Sequence, residues 1–209
     1  RFPPTLYLGL IAIVVSTIFG IFFGLIAAIR RGKLIDSVVT FCSHIGLTVP
    51  VFLLLIVLIY VFGLKLGWLR IAGYVSPFDS LWLFTKMSVI PVICLAVVPL
   101  AMTARQMRSS VLEVNNMDFI RTAWSKGLKE KVVVTRHVLK NSMLPVVTML
   151  GIGVGLVIGG SVIIENLYAI PGVGSLLVQS VFAQDYVVIQ GATLVIATVF
   201  VWPIFPTCY

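Results

Sequence analysis

The chain has 209 residues; 60% are hydrophobic, 11% are charged, and the formal net charge is +8. Soluble globular domains carry about 25% charged residues, so a soluble fold of this size could not hide this much apolar surface, and lipid must be the solvent for much of it. The positive balance does not signal nucleic acid, because the cations sit between apolar blocks and not on a face interleaved with aromatics.

A membrane-spanning helix needs about 20 apolar residues. Residues 6–29 meet this without a charge, and Ser16, Gly20, Gly24 and Ala28 recur at every fourth position, a smooth stripe for close helix approach. A second span is predicted at 37–64, with His44, near Ser43 and Thr48, read as a hydrogen-bonded interior histidine. A third follows at 80–104, crossing Lys86, a fourth at 141–164 and a fifth at 186–209. Kinks are expected at Pro50, Pro91, Pro99 and Pro145. The fourth span carries a second small stripe, Gly151, Gly155 and Gly159, read as helix packing. Between the last two spans, 166–184 is also uncharged, but Pro171-Gly172-Val173-Gly174 argues against a continuous helix. It reads as a broken or re-entrant segment, with a sixth span as the alternative.

The charges orient these spans. Arg30, Arg31 and Lys33 follow the first span, and Arg105, Arg108, Arg121, Lys126, Lys129, Lys131, Arg136 and Lys140 fill the loop after the third. Arg1, Lys65, Arg70 and Lys86 fall on the other side. The 105–140 loop is therefore expected in the cytoplasm and the N-terminus outside. Trp68, Tyr74, Trp82 and Tyr168 fall at outer ends and read as an aromatic belt. Cys42, Cys94 and Cys208 show neither metal-ligand spacing nor a disulfide framework; the first two read as buried small hydrophobes. The near absence of ionisable groups deep in spans weighs against a proton- or sodium-coupled carrier. The sequence contains no phosphate loop, no metal cluster and no nucleophile beside a base.

Within the loop, Met117, Ile120, Trp124 and Leu128 fall at steps of three, four and four, one apolar face of a short helix near 116–128. Asn116 or Asp118 is expected to cap its start, and Gly127 to end it in the left-handed conformation with Leu128 folding back. By pattern such a helix rests on lipid or docks into a groove of a cytoplasmic partner.

The stretch Asp118-Phe119-Ile120-Arg121-Thr122-Ala123-Trp124-Ser125-Lys126-Gly127-Leu128, followed by Arg136-His137-Val138-Leu139-Lys140-Asn141-Ser142-Met143-Leu144-Pro145, resembles the cytoplasmic signature of binding-protein-dependent ABC importer permeases, most of all their dipeptide/oligopeptide branch. In the broad family the signature is Glu-Ala-Ala, three residues, then Gly; here Arg121-Thr122-Ala123 takes the first slot and Gly127 follows at the right distance. The broad pattern's proline is displaced, with Lys140 in its slot and Pro145 further on, as in the peptide branch. Glu165-Asn166-Leu167-Tyr168-Ala169-Ile170-Pro171-Gly172-Val173-Gly174, Asp185-Tyr186-Val187-Val188-Ile189-Gln190-Gly191 and Arg30-Arg31-Gly32-Lys33-Leu34-Ile35-Asp36 resemble further segments of that branch, in order.

The resemblance implies an all-α integral membrane protein of the type I ABC importer permease fold, about five transmembrane helices with a cytoplasmic coupling helix, multi-pass in a bacterial cytoplasmic membrane. It implies a non-catalytic subunit of a peptide importer, with a second permease subunit, two cytoplasmic ATPase subunits and an extracytoplasmic substrate-binding protein as partners. ATP and magnesium then belong to the ATPase, and this chain binds no cofactor. Asp118, Arg121, Thr122, Ala123, Lys126 and Gly127 are the expected ATPase contacts, with Ala123 leaving room for close approach. Glu165, Pro171, Gly172, Gly174 and Asp185 form the external segment; Glu165 and Asp185 read either as contacts to the binding protein or a peptide's amine, or as solvated charges at the membrane edge. Alternatives are an ATPase-independent carrier or channel, or the same family with a nickel chelate or other small solute. Family members usually carry one more N-terminal span, and 200–209 does not look like their usual ending, so the chain is expected to be truncated.

Overall fold

The computed structural model describes residues 1–127, 129 and 132–201, whose regular elements are all helical, with no strand among them. Helix α1 (Phe2–Ile29) takes Pro3 into its first turn, where a missing N–H costs nothing. At 1.5 Å per residue it is about 42 Å long, more than the ~30 Å hydrocarbon core. Its buried line is Pro4, Leu8, Ala12, Ser16, Gly20, Gly24 and Ala28. A Cβ on Gly20 would stand 2.8 Å from Thr103 Cβ, and one on Gly24 would stand 2.7 Å from Met107 Cβ. The stripe thus lets α1 lie against helix α4 (Leu81–Asn115), and the matching order of contacts makes the two parallel.

The span predicted at 37–64 is not one helix. Helix α2 (Leu34–Thr48) ends, and α3 (Val51–Leu58) continues through a π-helical turn, Ile59–Lys65, after a bend of 104°. Pro50 causes the break: it lacks an N–H and disfavours the helical conformation in the residue before it, and Val49 is extended at φ −73°, ψ 122°. The pair nonetheless reaches from one end of the bundle to the other. Asp36 is bonded to Arg108 at the basic end, and Gly73, beyond Lys65, donates its N–H to the Tyr168 carbonyl at the opposite end.

Ser80 caps α4, accepting from the Leu83 N–H at 3.4 Å. The helix runs unbroken through Pro91 and Pro99 and continues past the expected end at 104 to Asn115, so the first third of the predicted loop is helical. Met107, Val111 and Val114, buried along one side of this extension, hold it in place. α4 is the central helix, packed on α1 and α2 and on α6 (Leu139–Leu167). α6 is entered through a π-helical turn, Val133–Val138, and runs antiparallel to α4, with Gly153 facing Pro99 and Gly160 facing Leu95. Two shorter helices follow, α7 (Val173–Phe182) and α8 (Tyr186–Val201). At about 15 Å, α7 is half of what crossing needs, so the sixth-span alternative is not built. Residues 202–209 of the predicted fifth span lie outside the described residues. By length and apolar content, α1, α4 and the stretch Val133–Leu167 can each cross a membrane, and the bent pair makes a fourth.

Several sequence expectations are corrected. His44 is exposed, and no hydrogen bond of its imidazole is seen; its carbonyl accepts from the Thr48 hydroxyl at 2.8 Å. Cys42 is exposed whereas Cys94 is buried; Cys208 lies outside the described residues. Gly151 and Gly155 are buried with Gly153 on α6, but Gly159 points to open space, because 3.6 residues per turn carry every fourth position off the shared face. Tyr168 is fully buried and is no belt residue: its hydroxyl donates to the Arg70 carbonyl, and burial pushes the phenol up to about 12, so it stays protonated as a donor. Trp68 and Trp82 remain exposed.

Candidate functional site

The predicted loop helix exists as α5 (Asp118–Ser125), shorter than 116–128. Its N-cap is Met117 without a side-chain cap bond; Asn116 turns back to donate to the Leu112 carbonyl at 3.0 Å, so neither expected cap is used. Asp118 stands in the first turn, where its charge opposes the helix dipole favourably, and is 3.6 Å from Arg121. Gly127 has φ +72°, the left-handed conformation that ends the helix, and its N–H is bonded to the Trp124 carbonyl at 2.9 Å. Leu128 lies outside the described residues.

The buried face of α5 differs from the periodic reading. Ile120 is 0% exposed and Ala123 is buried beside it, while Met117 and Trp124 stay exposed. Ile120 and Ala123 enter a core with Ala28, Met107, Val111, Val133 and Val146. Within this chain α5 packs on the π-helical turn Val133–Val138 that opens α6, and burying Ile120 alone contributes about 1.5–3 kcal/mol. Ala123 is thus a contact to the chain's own core, because the steps 120 and 123 share one face of the helix. Asp118, Arg121, Thr122, Lys126 and Gly127 all face outward, with Phe119 and Trp124 alongside. α5 is a rigidly held helix presenting a mixed charged and aromatic surface.

Beside this end, Asp36 is buried and accepts from Arg108 Nε at 2.6 Å and Nη2 at 2.9 Å, and from the Gly32 N–H at 3.0 Å. The bidentate pair joins the α1–α2 turn to α4. The motif that contains Asp36 does not by itself reveal this role. The one available signal was an acid among Arg30, Arg31 and Lys33.

At the opposite end, Glu165 is neither a solvated charge nor a free contact: it is 1% exposed. Its Oε2 accepts from the N–H groups of Gly174 at 2.7 Å and Ser175 at 3.2 Å, at the start of α7. A Cβ on Gly172 would overlap this carboxylate, and one on Gly174 would stand 2.5 Å from Val162 Cα. The two glycines are therefore the space in which the glutamate sits. Thr5 Oγ1 accepts the Val173 N–H at 2.9 Å, tying α1 to the same turn. Pro171 lies in this turn, while Asp185 is exposed and caps α8 through the Val188 N–H at 3.2 Å. The external residues named from sequence are thus brought together except Asp185, and Glu165 organises them.

A family description, binding-protein-dependent transport system inner membrane component, matches residues 20–206. The chain belongs to that family. It is a permease-type, multi-pass component of a bacterial inner membrane. Among its relatives, a putative peptide permease protein of Brucella suis biovar 1 (strain 1330) is 38% identical over 198 residues, covering 94% of this chain and 62% of the relative. The dipeptide transport system permease protein of Bacillus subtilis (strain 168) is 37% identical over 204 residues, 98% of this chain and 64% of the relative. This chain thus spans less than two thirds of their length. A solved chain of the MetNI methionine ABC transporter, in inward-facing conformations, superposes with a TM-score of 0.67 at 17% identity, covering 96% of this chain and 90% of that one. The fold is that of the type I importer permeases.

Proposed function

We propose that this chain is the membrane-spanning subunit of an ATP-driven importer for dipeptides or oligopeptides, and that α5 couples its spans to a separate ATPase. The observation that carries the reading is the seating of α5. Ile120 and Ala123 are buried in the core shared by α1, α4 and α6, α5 lies on the π-helical turn that opens α6, and Asp118, Arg121, Thr122 and Lys126 are left outward. A helix anchored in the core that the spans share transmits a displacement to them; a flexible loop does not. The names of the relatives, peptide and dipeptide permeases, support the substrate class.

In this reading ATP and magnesium act on two ATPase subunits, a second permease subunit completes the path, and an extracytoplasmic binding protein delivers the peptide. This chain performs no catalytic step. Transport becomes directional because nucleotide and substrate bias two conformations of the spans differently.

The test is co-purification of the full-length protein with its cognate ATPase, and peptide-dependent ATP hydrolysis in proteoliposomes. Arg121→Glu with Lys126→Glu changes only outward side chains and is expected to lose both; Ile120→Asp is expected to lose both by unseating the helix. Retention of the ATPase and of transport in the Arg121→Glu, Lys126→Glu variant would refute the coupling role.

A further inference from the structure

The face between α1, α2 and α4 carries an apolar groove of about 360 Å³ that the proposed transport role leaves unused. Phe23 on α1, Val38, Cys42 and Gly46 on α2, and Val97 and Ala101 on α4 line it. Its one hydroxyl, Ser43, is already spent on the Val39 carbonyl at 2.8 Å, so the walls present no free hydrogen-bonding side chain to a polar guest. At this depth in a membrane-spanning bundle the guest of matching chemistry is hydrocarbon.

The end of the groove says which hydrocarbon. Phe23 and Val38 lie roughly two turns and one and a half turns from the α1–α2 connection that carries Arg30, Arg31 and Lys33. All three are exposed. The acid nearest in sequence, Asp36, is held by Arg108 and the Gly32 N–H, so it does not neutralise them. Cations at the mouth of an apolar groove between membrane helices match an anionic headgroup joined to an acyl chain. We propose that this groove is a binding site for an anionic phospholipid, with one acyl chain along α2 and its phosphate on Arg30, Arg31 and Lys33. Seated there, the lipid fills the space between the broken span and α4 and braces the end of the bundle that holds α5.

The test uses the full-length protein with Cys42 as its only thiol, purified and supplied with phosphatidylglycerol or phosphatidylcholine. Native mass spectrometry reads retained lipid, and alkylation by a maleimide reads access to Cys42. Phosphatidylglycerol is expected to be retained preferentially and to slow alkylation. Neutralising Arg30, Arg31 and Lys33 to Gln is expected to weaken retention by roughly fivefold per cation. These residues are exposed, so that variant keeps its fold; Ser43→Phe, which fills the groove, is expected to abolish the protection of Cys42. Equal retention of the two lipids by the unaltered protein, or retention indifferent to the cations, overturns the proposal. So does a Cys42 that stays blocked after delipidation of the assembled transporter, which makes the groove a protein interface.

Discussion

The Glu165 carboxylate shows how one side chain can organise a turn. With two backbone N–H groups on one oxygen and no solvent, it substitutes for the missing intrahelical partners at the start of α7. Glu165→Ala is expected to destabilise the protein by about 2–3 kcal/mol, read as a lower unfolding midpoint in detergent and faster proteolysis of 166–185; unchanged protection there contradicts the clamp. Gly172 and Gly174 are the counterpart of this acid, and Gly174→Ala is expected to cost about 1–3 kcal/mol by overpacking. The Asp36–Arg108 pair makes a similar tie at the other end. A double-mutant cycle of Asp36→Asn and Arg108→Gln should return a coupling of about 1–3 kcal/mol, and additive effects would show that the pair contributes no more than two independent groups.

At the scale of elements, small residues behave according to what faces them. Gly24 lies under the Ala104 backbone and Met107, whereas Gly159 meets nothing within 4 Å. Gly24→Leu is therefore expected to disrupt α1–α4 packing and lower thermal stability, while Gly159→Leu leaves it within about 0.5 kcal/mol; equal effects would mean that the stripes do not set the packing. α5 follows the same logic. Its helical period was legible, since Met117, Ile120 and Trp124 all carry apolar side chains at helical steps. Which of them turn inward depends on where Met107, Val133 and Val146 wait, and that selects Ile120 and Ala123. The predicted kink sites also divided: Pro50 broke its span, while Pro91 and Pro99, both buried in close packing, and Pro145, which is exposed, sit inside continuous helices.

For the whole molecule, the topology places α5 and α7 at opposite ends of the bundle. A cysteine at Phe182, 84% exposed, and one at Arg121 should therefore react with a membrane-impermeant reagent from opposite faces; labelling of both from one side would overturn the layout. In the proposed reading a push on α5 enters α6 through the π-helical turn Val133–Val138 and spreads through α4, which packs on α1, α2 and α6.

Membrane insertion and the family were legible in the sequence alone, because hydrocarbon demands long uncharged runs and the signature residues are contiguous in the chain. The corrected readings share a different character. Whether Glu165 is solvated, whether Ala123 faces a partner or its own core, whether His44 and Cys42 point inward, and whether 37–64 is one helix or two all depend on neighbours tens of residues away. A transmembrane helix that is apolar all round carries no period to announce its buried face. Only the packing of α1, α2 and α6 around α4 decided which side each helix turns inward, and with it which residues are left outward.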